Sequence, residues 1–167
     1  MTGSAQRPLL FLDVDGPLIP FGGDSRAYPS HPDSARVAAA IGHPLLARLD
    51  PAHGPRLSAL PCELVWATTW QGEANECLAP LLGLPVLPVV EWPDGLPAVP
   101  GAHWKTVALV SWATGRPFAW VDDEISDADR VWVAAHHPGR ALLHRVDPEV
   151  GLADFDYRII ASWLGQR

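Results

Sequence analysis

Cysteine and long apolar runs are scarce in this sequence. Its 167 residues include two cysteines, Cys62 and Cys77, and neither belongs to a CxxC pair. A disulfide framework or a zinc knuckle is therefore not predicted. No apolar run approaches the roughly 20 residues of a membrane-spanning helix, and the amino-terminal residues lack the apolar segment of a signal peptide. We therefore expect a soluble cytoplasmic protein with no membrane partner.

Positive charge is also in short supply. Lysine and arginine together number 12 against 19 aspartates and glutamates, which gives a formal net charge of −7. A broad basic surface for duplex nucleic acid is therefore not expected, because such surfaces depend on clustered lysine and arginine. A small phosphorylated substrate held by a metal ion and one or two cationic side chains is compatible with this charge.

The rest of the composition is typical of one folded domain with many turns. Apolar residues make up 48% of the chain and charged residues 19%, so residues 1–167 are predicted to form a single domain with a sizeable core. Proline occurs 18 times and glycine 14 times. Residues 16–32 hold four of the prolines and three of the glycines, which predicts a short, irregular flap there.

Short apolar runs alternate with helix-like stretches, a pattern typical of a parallel sheet with helices on both faces. Strands are predicted over residues 9–14, 63–67, 85–90, 118–121 and 141–144, and helices over residues 33–41, 72–82, 103–114, 126–135 and 152–164. Pro85 and Pro88 put the third strand at or near an edge, because proline donates no ladder hydrogen bond. The predicted fold is a Rossmann-like α/β domain of three layers, with a mainly parallel sheet of about five strands.

Acidic and hydroxyl side chains stand where three of the predicted strands end. Asp13 lies at the end of the first predicted strand and Asp15 directly after it, Thr68 and Thr69 follow the second, and Asp122 and Asp123 follow the fourth. The carboxyl ends of parallel strands meet at one rim of the sheet, which is where ligands bind in such folds. Carboxylates so close together repel one another unless a cation lies between them, and Mg²⁺ is the hard ion that prefers oxygen ligands. The pattern therefore predicts a magnesium site at this rim.

Four segments in sequence order resemble the motifs of the haloacid dehalogenase-like (HAD) hydrolases. They are FLDVDG at 11–16, VWATT at 65–69, HWKT at 103–106 and WVDDE at 120–124. The first and fourth are fairly specific, and the second and third are weak alone. The resemblance covers essentially the whole chain and implies the HAD fold. Pro17 is a departure, since the phosphatases of this family often have threonine or valine there.

The resemblance implies a role for each matched residue. Asp13 would be the nucleophile that forms an aspartyl-phosphate, and Asp15 would act as general acid and then general base. Thr68, or in the other register Thr69, would bind a phosphate oxygen, and Lys105 would add positive charge. The dehalogenases of the family lack the second aspartate, so Asp15 favours phosphoryl chemistry.

The magnesium ligands implied by the resemblance are Asp13, Asp122 and Asp123, with the backbone carbonyl of Asp15. Asp127 is a further candidate for supporting the metal, although the dipole of a helix beginning near residue 126 also explains an acidic residue there.

Several functions are compatible with these residues. The leading interpretation is a Mg²⁺-dependent phosphatase. The alternatives are a non-catalytic binding or regulatory module that keeps the fold, a phosphotransferase, and a nucleic-acid end-processing phosphatase. Residues 91–102 are too few to form a folded cap, so we expect an open site. Such a site suits a phosphorylated substrate with its own bulk: a nucleotide or nucleotide-like molecule, an oligonucleotide end or a phosphorylated protein. Self-association of the protein would close the site and suit a small molecule instead. Trp70 is a candidate for stacking on a base. The sequence does not indicate an oligomeric state.

Overall fold

Four short strands form one parallel sheet within residues 6–166, the part of the chain that this computed structural model describes. The strands are β1 (Leu9–Leu12), β2 (Glu63–Trp66), β3 (Phe118–Asp122) and β4 (Ala141–Arg145). Their order in the sheet is β2-β1-β3-β4, and every neighbouring pair is parallel. The predicted α/β architecture is confirmed, with four strands instead of about five.

The prediction of a third strand over residues 85–90 is wrong. This segment runs beside the edge strand β2 but joins it through a single bridge between Trp66 and Val89. Trp66 N–H donates to the carbonyl of Pro88 at 2.9 Å, and Val90 N–H donates to the carbonyl of Trp66 at 2.9 Å. The two prolines of the segment have no N–H to continue the ladder, so pairing stops after one repeat.

Six α-helices lie within residues 6–166. They are α1 (Pro32–Ile41), α2 (His53–Ser58), α3 (Ala79–Leu82), α4 (Thr106–Ala113), α5 (Asp127–His136) and α6 (Asp154–Leu164). Short 3₁₀ turns lie at Ser25–Ala27 and Pro44–Arg48, and a π-helical turn lies at Ala74–Leu78.

Two helix predictions need correction, and one helix was not predicted. The helix predicted over residues 72–82 is divided between the π-helical turn and α3, which begins next to Pro80, a residue without an N–H to continue the preceding turn. The helix predicted over residues 103–114 begins only at Thr106. Helix α2 was not predicted because Gly54 and Pro55 are poor helix formers, and Gly54 is needed where a Cβ would lie 1.7 Å from the carbonyl oxygen of Leu82.

Alternate residues of each strand enter two separate apolar clusters, one on each face of the sheet. Leu10 and Leu12 pack in the cluster that contains residues of α1, α2, α3 and α6. Leu9 and Phe11 pack in the cluster that contains residues of α4 and α5. Both faces of β1 are fully buried, which explains its uninterrupted apolar sequence. The result is the predicted three-layer arrangement.

The chain passes from β1, at the centre of the sheet, to β2 on one side and later to β3 on the other. The carboxyl ends of these three strands therefore lie side by side at a topological switch point. None of the helices between residues 6 and 166 has the length and apolar character needed to cross a membrane.

Candidate functional site

Three of the aspartates singled out in the sequence meet at the carboxyl ends of β1 and β3. Asp13 follows β1 directly, and its N–H donates to the carbonyl of Val121 in β3 at 3.0 Å. Asp122 is the last residue of β3, and Asp123 follows it. Carboxylate oxygens of Asp13, Asp122 and Asp123 all lie within 4.8 Å of one another. The side chains of Asp13 and Asp122 are almost completely buried.

Lys105 is the one lysine of the whole sequence, and its ammonium group lies inside this cluster. Nζ is 2.8 Å from Oδ2 of Asp122 and 3.1 Å from Oδ1 of Asp13, and it also donates to the carbonyl of Ala67 at 2.9 Å. The residue directly precedes α4, and 3% of it is exposed. One lysine cannot balance three carboxylates, so the cluster keeps an excess of negative charge.

The protonation equilibria of the cluster reflect this excess. Burial, with help from the charge of Asp122, raises the pKa of Asp13 to about 8 although Lys105 opposes the change. Burial and Asp122 likewise raise the pKa of Asp123 to about 6. Burial lowers the pKa of Lys105, but the two carboxylates beside it outweigh burial and keep that pKa above its ordinary value. These buried oxygen donors, short of positive charge, fit a hard divalent cation such as Mg²⁺.

The raised pKa of Asp13 predicts that its carboxylate destabilises the metal-free protein. The pKa of this carboxyl group is 3.8 in the unfolded chain and about 8 in the folded protein. Its contribution to the free energy of unfolding is therefore largest below pH 3.8 and is lost as the pH rises to about 8. With EDTA present, we expect Asp13→Asn to raise the thermal midpoint by at least about 4 °C near pH 8, and by less near pH 5. Calorimetry of both proteins at the two pH values tests this. A difference in thermal midpoint between the two proteins that stays constant or becomes smaller toward pH 8 would contradict this prediction.

Asp15 lies beside the cluster and is held by Trp70. Its carboxylate and that of Asp13 line one cavity of about 160 Å³. The indole N–H of Trp70 donates to Oδ2 of Asp15 at 3.2 Å, and the ring of Trp70 lies 4.8 Å from that of His43. Trp70, the sequence-based candidate for base stacking, is thus half-buried and oriented toward Asp15. The sequence carries no signal for this contact, because the two residues are far apart in the chain.

Gly16 and Pro17 shape the turn that follows Asp15. Gly16 has φ +100°, and a Cβ there would lie 2.8 Å from Cγ of Asp123, so both the conformation and the close approach require glycine. Pro17 needs no N–H, since the N–H groups of Leu18 and Ile19 close the turn on the carbonyl of Val14, each at 3.0 Å. The departure at Pro17 therefore leaves the carboxylates in place.

The two threonines after β2 have different environments. Thr68 is completely buried, and its hydroxyl oxygen accepts the N–H of Trp70 at 3.1 Å. Thr69 is exposed and lines the cavity with Asp13 and Asp15.

Asp129 is a structural residue of this region that the sequence reasoning missed. It is fully buried at the start of α5 and accepts hydrogen bonds from the backbone N–H of His103, the Thr106 hydroxyl, and the backbone N–H and hydroxyl of Ser126. Burial opposes its ionisation, but these donors together keep its pKa below the ordinary value. The hydrogen bonds of Asp129 thereby hold the segment that contains Lys105 against α5. Asp127, the residue considered for the metal, is instead fully exposed and lies 3.8 Å from Arg130.

Asp127 and Asp129 form a matched pair for a stability measurement, since both lie in the first turn of α5. We expect Asp129→Ala to lower the free energy of unfolding by about 2–4 kcal/mol, because it leaves several buried hydrogen-bond donors without an acceptor. Asp127→Ala should lower it by at most about 1 kcal/mol, the usual value of a helix-dipole contact. Urea unfolding near neutral pH measures both. Equal decreases in the free energy of unfolding for the two variants would contradict the structural role of Asp129.

Aromatic side chains surround the open side of the site. Trp104, next to Lys105 in sequence, is 54% exposed and lines the 160 Å³ cavity together with His103 and Phe21. Nδ1 of His103 accepts the N–H of Lys105, so Nε2 carries the proton and donates to Glu124 at 2.9 Å. His103 and Glu124 also form a second group of potential metal ligands, which shares Asp122 with the first.

A larger cavity of about 910 Å³ lies elsewhere. It is lined by residues from three segments, 17–31, 48–56 and 149–158, among them Tyr28, Arg48 and Phe155. None of the site carboxylates lines it. The carboxylate cluster therefore lies at a smaller cavity than this one.

Comparison with known proteins yields one finding. A family model described as the HAD domain in Swiss Army Knife RNA repair proteins matches residues 9–157, a range that includes all four motif segments. No curated protein and no solved structure shows a significant match to the chain.

Proposed function

Because the chain belongs to the family of HAD domains in Swiss Army Knife RNA repair proteins, we propose that it is a Mg²⁺-dependent phosphatase whose nucleophile is Asp13. HAD domains are generally hydrolases, phosphatases among them, and typically use Mg²⁺. One observation carries the proposal: three aspartates and the single lysine share one buried cluster at the ends of β1 and β3. This cluster combines a nucleophile, a set of metal ligands and a cation.

The residues that would hold Mg²⁺ are Asp13, Asp122 and Asp123, together with the backbone carbonyl of Asp15. The carboxylate oxygens of the three aspartates are close, buried and short of positive charge, which is the donor chemistry that this ion requires. When bound, Mg²⁺ supplies positive charge that keeps Asp13 ionised and stabilises the negative phosphoryl oxygens.

In the first step, a carboxylate oxygen of Asp13 attacks phosphorus. The bond between phosphorus and the leaving oxygen breaks, and protonated Asp15 gives its proton to that oxygen. The product of this step is an aspartyl-phosphate on Asp13 and a free alcohol. The indole N–H of Trp70 keeps the carboxyl of Asp15 in one orientation for the transfer.

In the second step, water attacks the phosphorus of the aspartyl-phosphate. Asp15, now ionised, accepts a proton from this water, and the bond between phosphorus and the Asp13 oxygen breaks. Inorganic phosphate leaves, and both aspartates return to their starting protonation states. The same carboxyl group therefore serves as acid in one step and base in the other.

Lys105 and a threonine hydroxyl stabilise charge during both steps. The Lys105 ammonium group lies 3.1 Å from Oδ1 of Asp13, close enough to orient the nucleophile and attract phosphoryl oxygens. Charge in a phosphoryl-transfer state spreads over the equatorial oxygens, so such fixed positive charge is effective. By motif order Thr68 donates to one of these oxygens, while the exposure of Thr69 supports the alternative register.

Two observations support a nucleic-acid end as the phosphate carrier. The matching family is described by its occurrence in RNA repair proteins. Residues 91–102 also form only loops and turns and supply no folded cap, so the substrate supplies its own bulk. The net charge of −7 favours contact with an end over contact along a duplex.

Phosphate release from a substrate panel tests the proposed activity. The panel contains sugar phosphates, nucleoside monophosphates, an aryl phosphate, and RNA oligonucleotides phosphorylated at either end, each with Mg²⁺ and with EDTA. We expect Mg²⁺-dependent release that is fastest from oligonucleotide ends. Release from no member of the panel would favour the alternative of a non-catalytic binding module, although such a module usually lacks one of the carboxylates and this chain lacks none.

A further inference from the structure

Trp104 is an exposed tryptophan with an unusual position beside buried catalytic machinery. Its ring centre lies 5.7 Å from Nζ of Lys105, and that of Trp92 lies 5.9 Å from the same atom. The two indole rings meet edge to face at 4.8 Å. Most large apolar side chains near the sheet are buried, but 54% of Trp104 remains in contact with solvent. Exposing so much apolar surface has a cost that a ligand contact would offset.

The orientation of this pair is fixed by its neighbours. The indole N–H of Trp92 donates to the backbone carbonyl of Thr68 at 3.2 Å, which attaches Trp92 to the loop after β2. The imidazole of His103 lies 5.3 Å from the ring of Trp104 and is itself held by Glu124. A rigid aromatic surface stacks on a planar ligand with little loss of conformational entropy.

Trp104 also lines two cavities. One is the 160 Å³ cavity that is lined by Asp13, Asp15 and Lys105. The second is a groove of about 240 Å³, lined by Trp92 and Trp104 together with Leu96 and Ala108. A phosphorylated molecule whose phosphate enters the first cavity therefore has its next group beside Trp104.

The charge of the groove indicates which part of a substrate can lie there next to the phosphate. Asp94 is the one charged residue on its described lining, and no lysine, arginine or histidine lies there. A second phosphate would be repelled, whereas a neutral planar group would gain an aromatic surface. We propose that Trp104 stacks on the nucleobase of the terminal nucleotide whose phosphate is removed, while Trp92 packs edge to face against Trp104 and holds its ring in place. This inference rests on the proposed function and adds the part of the substrate that the protein recognises.

The test uses pairs of RNA oligonucleotides that differ only at the phosphorylated terminal nucleotide. In one member this nucleotide carries its base, and in the other the base is replaced by hydrogen. We expect the native protein to release phosphate from the base-bearing end with a kcat/KM about tenfold higher, in line with the stacking of one base on an aromatic side chain. Trp104→Ala should abolish the preference, and Trp104→Phe should keep most of it. Both phosphorylated ends, 5′ and 3′, are measured.

Two other tryptophans provide matched controls. Trp132 lies on α5 and lines neither cavity, so Trp132→Ala should leave the preference intact. Trp70→Phe removes the hydrogen bond to Asp15 and should slow release from both oligonucleotides by the same factor. Equal rates from the two ends in the native protein, or a preference that survives Trp104→Ala, would overturn the inference. So would a phosphotyrosyl peptide that is hydrolysed faster than the base-bearing end and depends more strongly on Trp104.

A binding measurement separates this inference from the proposed activity. Fluorescence anisotropy of labelled oligonucleotides is recorded with Asp13→Asn, which should bind without turnover. The base-bearing end should bind about tenfold more tightly than the end without a base, and adding Trp104→Ala should remove the difference. If the native protein hydrolyses neither the oligonucleotides nor the aryl phosphate, the proposed activity fails. A difference in binding between the two ends would still support stacking in that case. Equal binding of the two ends overturns it.

Discussion

Asp13→Asn is expected to reduce phosphate release by about 10³-fold or more, to the background of the assay. The amide oxygen of asparagine is a poor nucleophile, so no aspartyl-phosphate can form. The substitution preserves the shape of the side chain and its acceptor for Lys105, which lies 3.1 Å from Oδ1 of Asp13. Steady-state release of phosphate from the best substrate of the panel, with Mg²⁺ at saturation, measures the loss.

Two further variants show whether this loss is chemical. Asp15→Asn should slow turnover by about 10²-fold, because it removes proton transfer and leaves the nucleophile in place. Asp127→Asn changes an exposed aspartate and should have little effect on turnover. Near-normal turnover by Asp13→Asn, with contaminating phosphatases excluded, would refute the assignment of the nucleophile.

Removal of Mg²⁺ is the second change with a large expected effect. Exhaustive chelation should reduce activity by about 10²-fold or more, and added Mg²⁺ should restore it, since a metal ion contributes several kcal/mol to stabilising a transferring phosphoryl group. Asp122→Asn and Asp123→Asn should each raise the Mg²⁺ concentration required for half-maximal activity. Activity titrations with Mg²⁺ measure both effects.

The same ligand set can be examined without turnover. Crystals soaked in Mg²⁺ should show a near-octahedral ion with oxygen ligands at about 2.0–2.1 Å and retained waters. Mg²⁺ should also raise the thermal midpoint of the native protein more than that of Asp123→Asn, since ligand binding stabilises the folded state. Full activity after chelation, together with no ion between Asp13 and Asp123, would contradict the proposed metal site.

The strands and their terminal carboxylates were predictable because their signals are local. Leu9–Leu12 is apolar on both faces, and Asp13 interrupts the apolar run where the strand ends. The same holds for Phe118–Asp122. Parallel pairing of these strands then brings Asp13 and Asp122 together, so the sequence contains enough information to predict the cluster.

Other features depend on contacts between distant residues. The pattern of residues 85–90 is that of a strand, but pairing with β2 needs N–H groups that its prolines lack. Asp127 and Asp129 are equivalent in a helical pattern, and only the approach of His103 and Thr106 makes Asp129 the buried one. Trp70 similarly lies next to the second motif, yet tertiary packing orients it toward Asp15 and leaves Trp104 exposed.

Whether phosphate becomes attached to Asp13 during turnover is the most direct test of the proposed mechanism. Asp15→Asn lacks the base that activates water, and an aryl phosphate needs no proton on its leaving oxygen, so the phosphorylated protein should accumulate. Rapid quenching followed by borohydride reduction converts an aspartyl-phosphate to homoserine, which mass spectrometry locates in the chain. We predict homoserine at position 13, in an amount approaching one per chain. A protein that turns over the substrate with no modification at position 13, or with phosphate trapped on another residue such as His103, would contradict this mechanism.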